Sequence, residues 1–426
     1  MARSLNVFLD RNLVGQLLQD DGGQMLFEYA ESWLEDPDAI SLSRSLPLRN
    51  ERFTQKECQG FFGGILPEED NRKIIARILG ISDKNDFAML EQIGGECAGA
   101  ITFLPEGTEV LEDDTNYREL SDAELARILR ELPRRPLMAG EDGIRLSLAG
   151  AQDKIAVRVQ DGKISVPRGS APSSHILKPA IATYDGVVFN EAFCMNLAAE
   201  ARLDSARATI GHIEDIDYLL VERYDRHRSE DGQIQRVHQE DFCQALGVPS
   251  ETKYQSEGGP SLTDCFTLLR DASSSPVIDL RRLLDAVLFN LIVGNHDAHA
   301  KNFSLLYLPG RTIRLAPLYD LVSTVFYPEF TDKMAMKLGG KAESELIFPR
   351  NVAKFARSAG LAVPPTLARV STLATTVLEA IPKVEKPNKF SEKVAELVGE
   401  RCERFASRFQ KTLQAGNPGA SNTQMC

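Results

Sequence analysis

Apolar positions along this chain follow two different periods, and each predicts a different architecture. Near the start, LNVFL (5 to 9), LVGQLL (13 to 18) and MLFEYA (25 to 30) are short apolar runs separated by DRN and DDGG, which predicts a small antiparallel meander. FFGGILPEEDNRKIIARILGI takes helical spacing after Pro67, whereas FAMLEQIGGECAGAITFL (87 to 104) reads as strand and turn. A polar bridge follows, with a helix expected at 121 to 132, begun by Ser121 with Glu124 in capping-box position. From 143 the pattern returns to strands: GIRLSL, KIAVRV, KISV and SSHILKP. NEAFCMNLAAEARL (190 to 203) predicts an amphipathic helix, and DYLLVERYD (217 to 225) a buried strand ending in charge. Beyond 238 the three-and-four spacing dominates. In DLRRLLDAVLFNLIVG, Leu280, Leu283, Leu284, Val287, Leu288, Leu291 and Ile292 share a face, and Gly294 is a natural stop.

Behind that stop stands NHDAHAKN (295 to 302), two histidines, an aspartate, a lysine and two asparagines directly after a buried-looking helix. FSLLYL and RTIRLAPLYD then flank a Pro-Gly turn and should pair as a hairpin. Such a hairpin carries Asn302 in and Asp320 back near the same end, so that Asp297, Asn302 and Asp320 converge in one cleft.

Composition narrows the class without changing this picture. The 426 residues are too many for one simple core, so two or three lobes are expected. Hydrophobic residues at 43% and aromatics at 7% exclude wholesale disorder, and no apolar run reaches the ~18 residues that suggest a membrane span. The N-terminal stretch lacks a continuous apolar core, so no signal peptide is read and the cytoplasm is the expected compartment. Cys58, Cys97, Cys194, Cys243, Cys265, Cys402 and Cys426 form no CxxC pair and are expected to be reduced packing residues. A net charge of −12 disfavours a global electrostatic grip on nucleic acid, though a local basic patch is compatible with it.

The convergent trio is what phosphoryl transfer needs. Asp297 would accept the proton of an attacking hydroxyl, Asn302 and Asp320 would offer hard oxygen ligands to magnesium on nucleotide phosphates, and Lys301 would steady the transferred group. Taken alone, the stretch reads equally as a polar loop with His296 and His299 as caps. A zinc reading of the two histidines is weaker, because no third ligand stands at metal spacing. A kinase also requires a phosphate cradle and an upstream lysine. Ala149, Gly150, Ala151, Gln152, Asp153 and Lys154 lie between two strands, where small residues let backbone N–H groups approach phosphate, although a plain hairpin turn has the same composition. Lys178 in HILKP, held by a carboxylate such as Glu191, could reach the α and β phosphates. Glu222, Arg223 and Tyr224 end the strand where an adenine could take backbone hydrogen bonds, or are an ordinary charged strand end.

In this order, SLSRSLPL (41 to 48), SLAGAQDK, HILKP, VERYDR, QEDFCQALG, KYQSEGGP, DAHAKNFS and PLYD resemble the HipA family of bacterial serine/threonine kinase toxins over nearly the whole chain. The resemblance implies an α+β, protein-kinase-like bilobal fold: a β-rich N-terminal lobe and a mainly helical C-terminal lobe, with ATP and Mg2+ between them. It implies an N-terminal β-rich subdomain (1–105), a kinase N-lobe (106–225), a helical C-lobe (226–415) and a disordered tail (416–426). By the same resemblance Asp297 is the catalytic base, Asn302 and Asp320 the metal pair, and Lys178 the ATP lysine. Ala149 to Lys154 form the nucleotide loop and Glu222 to Tyr224 the adenine linker, with His299, Ala300 and Tyr319 among the nucleotide contacts. Ser147 matches an autophosphorylated serine, where about two added negative charges should expel a loop built to sit on phosphate. Ala298 departs from the glycine of some members but is small enough to serve.

The implied partners are a HipB-like helix-turn-helix antitoxin, operator DNA reached through that complex, and an aminoacyl-tRNA synthetase substrate, classically the glutamate enzyme, whose modification stalls translation and promotes dormancy. Lys354 and Arg357, three apart in PRNVAKFARSAG, match DNA-backbone contacts, though a solvated basic helix face fits them as well. Two alternatives remain beside the protein kinase toxin: a nucleotide-binding corepressor scaffold, and a kinase acting on a small hydroxylated molecule.

Overall fold

In the computed structural model, which describes residues 3–108, 116–180, 184–230 and 232–415, the N-terminal meander is present as expected. Strands β1 (Arg3–Leu9), β2 (Asn12–Gln19) and β3 (Met25–Tyr29) pair antiparallel, and β4 (Ile101–Pro105) closes on the free edge of β1. Met25, Phe27 and Tyr29 alternate inward, as a half-buried strand requires. The β2–β3 turn is set by Asp20, whose Oδ1 accepts from the N–H groups of Gly22 (2.9 Å) and Gln24 (2.8 Å). The helix after Pro67 spans Glu69–Leu79 and ends on left-handed Gly80.

Residues 87 to 104 depart from the strand-and-turn expectation. Asp86–Ile93 is a helix, capped by Asn85 whose side chain accepts from Ala88 N, and only Ile101–Pro105 is strand. Phe87, Leu90 and Ile93 recur every three residues and face one core, but eight residues are too few for periodicity alone to decide. The bridging helix is Asp122–Glu131, and Ser121 and Glu124 form the expected capping box.

A six-stranded antiparallel sheet forms the next layer. Its strands are β5 (Tyr117–Glu119), β6 (Ile155–Gln160), β7 (Lys163–Pro167), β8 (His175–Pro179), β9 (Ala208–Ile213) and β10 (Ile216–Glu222), in the order β5-β7-β6-β8-β10-β9. GIRLSL, expected as a strand, is extended but joins no sheet. Ile144, Leu146 and Leu148 are buried alternately, yet the segment makes only a bridge to Glu96, through Glu96 N to Arg145 O (2.8 Å) and Ser147 N to Glu96 O (2.9 Å). The helix expected at 190 to 203 spans Val187–Glu200 and is not amphipathic: Asn190, Glu191, Ala192, Phe193, Cys194 and Met195 are all buried, because it runs between the sheet and the helical lobe.

Two small ribbons, β11 (Arg226–Arg228) with β12 (Ile234–Arg236) and β16 (Lys333–Leu338) with β17 (Lys341–Glu343), come before and within the helical lobe along the chain. Its long helices are Leu262–Ala272, Pro276–Val293, Val363–Ala380 and Lys389–Ala415. The predicted hairpin is β14 (Ser304–Leu308) with β15 (Thr312–Leu315), and β13 (His238–Asp241) adds to its other edge. Buried apolar side chains form two groups, one running from Leu5 to Leu177 and the other from Val188 to Phe409. The six described cysteines are buried and unpaired. Among the described residues no helix is long and apolar enough to cross a membrane. The expected tail at 416–426 lies outside the described residues.

Candidate active site

Gly294 ends the Pro276–Val293 helix at φ +77°, where a Cβ would stand 2.3 Å from Val325 Cγ2, so only glycine makes this turn. The loop that follows is braced from within. Asn295 Nδ2 donates to Asn290 Oδ1 (2.9 Å) and to the Asp320 carbonyl (3.3 Å), and its Oδ1 accepts from Asp297 N (3.2 Å). His296 N donates to Thr324 Oγ1 at 2.8 Å. The chain then enters β14, turns, and returns along β15, bringing Asp320 back to the loop.

The result is a chain of charged contacts between the lobes. Asn302 Nδ2 donates to Asp320 Oδ2 (3.3 Å), while Lys178 Nζ, on β8, donates to Asp320 Oδ1 (2.9 Å) and to Glu191 Oε1 (2.7 Å) on the buried helix. Burial alone would lower the Lys178 pKa, but Asp320 and Glu191 outweigh it and hold the ammonium charged. Lys178, against the burial of the group, keeps Asp320 far below the usual carboxylate range. Burial raises the Glu191 carboxyl above its ordinary value, against the pull of Lys178 Nζ 2.7 Å away. Asp320 adopts φ +57°, uncommon for a residue other than glycine and the kind of strain that gathers at functional sites.

Asp297 stands at the mouth of the same cleft. Its side chain reaches water, yet surrounding protein and the nearby Asp320 charge raise its pKa to about 6 despite a hydrogen bond from Tyr254 Oη to Oδ1 (2.9 Å). Above it lies the Ala149–Lys154 loop. Gly150 has φ +99°, and a Cβ there would lie 2.8 Å from Lys154 Nζ, which donates to Ala149 O at 2.8 Å. A strap of the N-terminal unit holds this loop, through Glu68 N to Gly150 O (3.4 Å) and Asn71 Nδ2 to Ala151 O (2.8 Å). Burial, then Lys178, pushes Lys154 down to about 8. Ser147 is fully buried and donates to Ile65 O at 3.0 Å.

One cavity of about 1190 Å3 joins most of these groups. It is lined by Ala149, Gly150, Ala151, Gln152, Lys154, Lys178, Glu222, Arg223, Tyr224, Asp297, His299, Asn302, Tyr319 and Asp320. His299 is buried and held neutral, its pKa lowered by burial to about 4, and its Nδ1 has no hydrogen-bond partner among the described residues. Tyr224 stacks on Tyr319 with centroids 5.6 Å apart, and the Tyr319 hydroxyl is tied to Ser304 Oγ and Lys301 O (2.7 Å each). Asp153 and Ala300 are not among the cavity's lining residues, and Ala300 is fully buried. Lys354 and Arg357 are exposed on the Pro349–Ser358 helix and are not among the cavity's lining residues.

Two residues do other work than expected. Lys301, read as steadying a transferred phosphoryl group, is buried and donates to Asp241 Oδ2 (2.7 Å) and Gly64 O (3.3 Å), so its charge is already matched. The Arg223 side chain turns into a buried ion cluster with Glu96 (2.9 Å) and Asp225 (2.7 Å), joined by Arg226 and Arg236. The backbone N–H groups of Glu222 and Arg223 are spent on Arg207 O (2.9 Å) and Ser174 O (3.0 Å), whereas that of Tyr224 has no backbone partner among the described residues. A short strand end rich in charge gave no means of separating a ligand contact from an ion cluster, because Glu96 lies 127 residues upstream of Arg223.

Residues 146–385 match the HipA-like C-terminal domain, and residues 5–104 match the HipA N-terminal domain. The chain belongs to the HipA family. Y4mE of Sinorhizobium fredii, which carries a provisional kinase name, is 48% identical over 386 residues, 90% of this chain and 92% of its own. The serine/threonine-protein kinase toxin HipA of Shewanella oneidensis is 29% identical over 394 residues, 89% of each chain. The solved Shewanella HipA, in a complex with HipB and operator DNA, superposes with a TM-score of 0.84 at 28% identity, over 96% of this chain and 99% of that one. The fold is thus the kinase-like bilobal α+β fold of the HipA proteins, and the chain is a kinase of that family.

A divalent cation fits the donor set. Among the described residues no cluster of three or more His, Cys, Asp or Glu forms a protein-only cage. Asn302 and Asp320 offer one or two hard oxygens, the share that a small divalent cation takes from protein when phosphate oxygens and water complete its shell. Both ring nitrogens of His296 are engaged, with Thr331 O (3.2 Å) and Ser344 Oγ (2.8 Å). Tyr254, Lys253, Glu68 and Asp241 also shape the HipA-type cleft and carried no role in the sequence reading. For Lys253, Tyr254 and Asp241 the signal was present in KYQSEGGP and QEDF, but nothing local said what those residues touch.

Proposed function

We propose that the chain is a serine/threonine protein kinase toxin that moves the γ-phosphoryl group of ATP to a protein hydroxyl. The observation that carries this is the run Glu191, Lys178, Asp320 and Asn302 facing Asp297 across one cleft. Lys178 binds and orients the α and β phosphates, and Asn302 and Asp320 hold Mg2+. Bound there, the cation neutralises charge on the phosphate oxygens. Asp297 orients the acceptor hydroxyl and takes its proton as that oxygen bonds to the γ-phosphorus. The bond from phosphorus to the β–γ bridging oxygen breaks, and its electron pair leaves with ADP. Tyr224 N–H and the Tyr224–Tyr319 stack suit an adenine, and the unpartnered Nδ1 of neutral His299 suits a polar group of the nucleotide.

Ser147 is the proposed autophosphorylation site. A hydroxyl buried under the loop cannot be modified until the loop leaves, and about two added charges then keep it out. The finer reading follows the resemblance. The chain pairs with a HipB-like antitoxin, and Lys354 and Arg357 add backbone contacts when the pair sits on operator DNA, so that toxin and antitoxin repress their own operon. Its target is an aminoacyl-tRNA synthetase, the glutamate enzyme first, and the outcome is arrested translation and growth in the cytoplasm. The Shewanella complex with HipB and operator DNA supports the partner.

The test uses radiolabelled ATP, Mg2+ and the purified unphosphorylated chain. Label should appear on the peptide bearing Ser147 and be absent from Asp297→Gln; label of equal intensity in both would end this reading.

A further inference from the structure

The KYQSEGGP segment contributes a hydroxyl that none of the roles above uses. Among the described residues Tyr254 is the one side chain that hydrogen-bonds the Asp297 carboxylate, through its Oη to Oδ1 at 2.9 Å. We propose that Tyr254 is a positioning residue for phosphoryl transfer, its hydroxyl fixing one oxygen of Asp297 so that the other faces the acceptor hydroxyl. The proposal rests on Asp297 being the base.

Three observations support it. First, the Asp297 carboxylate needs an orienter. It reaches water at the cleft mouth and makes no ion pair among the described residues, and rotation about an aspartate's χ2 is soft, so without a donor the two oxygens would exchange freely. Second, Tyr254 is itself held on every side. Its ring meets His299 edge-on with centroids 5.4 Å apart, and its carbonyl accepts from the N–H groups of Glu257 and Gly259 (2.9 Å each). Lys253 beside it is buried and bonds Glu68 of the N-terminal unit at 2.7 Å. Gln255 Oε1 accepts from Lys337 N of β16 at 2.7 Å. The phenol meets the loop that carries Asp297 and His299, and its neighbours Lys253 and Gln255 anchor the segment to the N-terminal unit and the β16–β17 ribbon. Third, it is a permanent donor: burial first, then the Asp297 charge, raises its own pKa far above neutrality. An orienter of this kind acts through the base, as the third member of a nucleophile–base–orienter arrangement does.

The phenol also offsets part of the burial that would keep Asp297 protonated. Removing it should therefore change both geometry and pH response, which a purely structural tyrosine would not do.

The experiment measures steady-state ATP hydrolysis, with water as acceptor, and labelling of Ser147 by the full chain and by Asp297→Gln and Tyr254→Phe. Tyr254→Phe keeps the ring against His299 and removes only the hydroxyl. The expected result is a fall in kcat of about tenfold, well short of complete loss of the base. KM for ATP should stay within about twofold, and the acid limb of the kcat/KM profile should move up by about half a pH unit or more. An unchanged or faster kcat with an unmoved acid limb, while Asp297→Gln is inactive, overturns this proposal and leaves the kinase reading intact. Full activity in Asp297→Gln overturns both. If Tyr254→Phe does not fold, a ring-fluorinated tyrosine at 254, a stronger donor of the same shape, must move the acid limb to lower pH; an unmoved limb overturns the proposal.

Discussion

The two most consequential side chains, Lys178 and Asp297, differ in what they are bound to, and this sets their predicted phenotypes. Lys178 is buried between Glu191 and Asp320, so truncation removes a phosphate ligand and leaves a buried carboxylate without its cation. Lys178→Ala should weaken binding of ATP with Mg2+ by about tenfold or more and cost on the order of 3 kcal/mol of stability. Asp297 sits at the mouth, so Asp297→Gln should bind nucleotide nearly as the parent does. Calorimetric titration of both variants is the check, and equal loss of affinity would contradict the division of roles. Legibility at this scale was uneven. The spacing of Asp297, Asn302 and Asp320 on either side of a hairpin was visible because β pairing fixes where the second strand returns. The true partners of Lys301 and Arg223 were not, because Asp241 and Glu96 come from distant segments.

Elements follow the same division. The meander, the capped helix after Ser121 and the β14–β15 hairpin all carry local instructions: turn residues, a capping box, alternation. The helix at Asp86–Ile93 has its cap in Asn85 and GIRLSL its alternation, but both apolar runs are short enough to suit either conformation until a neighbour selects one. GIRLSL leads into the Ala149–Lys154 loop, proposed to hold the nucleotide, where conformation depends on one residue. Gly150→Ala would force a Cβ into a left-handed backbone and within 2.8 Å of Lys154 Nζ. The expected cost is about 1–2 kcal/mol in unfolding, with ATP affinity falling about tenfold as the loop shifts. Urea unfolding and nucleotide titration of this variant indistinguishable from the parent would contradict the loop geometry.

At the scale of the whole molecule, the N-terminal unit is fastened to the kinase body through buried polar clusters. SLSRSLPL and QEDFCQALG, far apart in sequence, form one of them. Glu240 accepts from Ser43 Oγ, Arg44 N (3.0 Å) and the Tyr307 hydroxyl, and Ser45 Oγ donates to Gln244 O at 2.8 Å. Burial, against its hydrogen bonds, raises the Glu240 carboxyl to about 7 from an ordinary 4.5. A folded pKa raised above the unfolded one means that its stabilising contribution is full below about 4.5 and is lost as pH rises through about 7. Parent stability should therefore fall between about pH 5.5 and about pH 8 by an amount that Glu240→Gln, which cannot ionise, reduces. Urea midpoints of the two proteins at both pH values decide it; equal pH dependence would show that Glu240 does not titrate across this window. The other fastening, Glu96 among Arg223, Arg226 and Arg236, secures the strand end where an adenine is proposed to sit.

What the sequence determined by itself was whatever short-range chemistry dictates: strand and helix periods, caps and turns, and the hairpin that returns Asp320 to Asn302. From these the β-rich and helical stretches and the order of the candidate catalytic residues could be written down. Tertiary structure alone decided which charges are spent within the protein and which remain for a ligand. It turned Lys301 and Arg223 inward, buried Ser147 beneath a strap from the N-terminal unit, and set Tyr254 against Asp297. The physical reason is that a buried charge must find its partner wherever folding brings one, and the partners here are supplied by segments tens to hundreds of residues away.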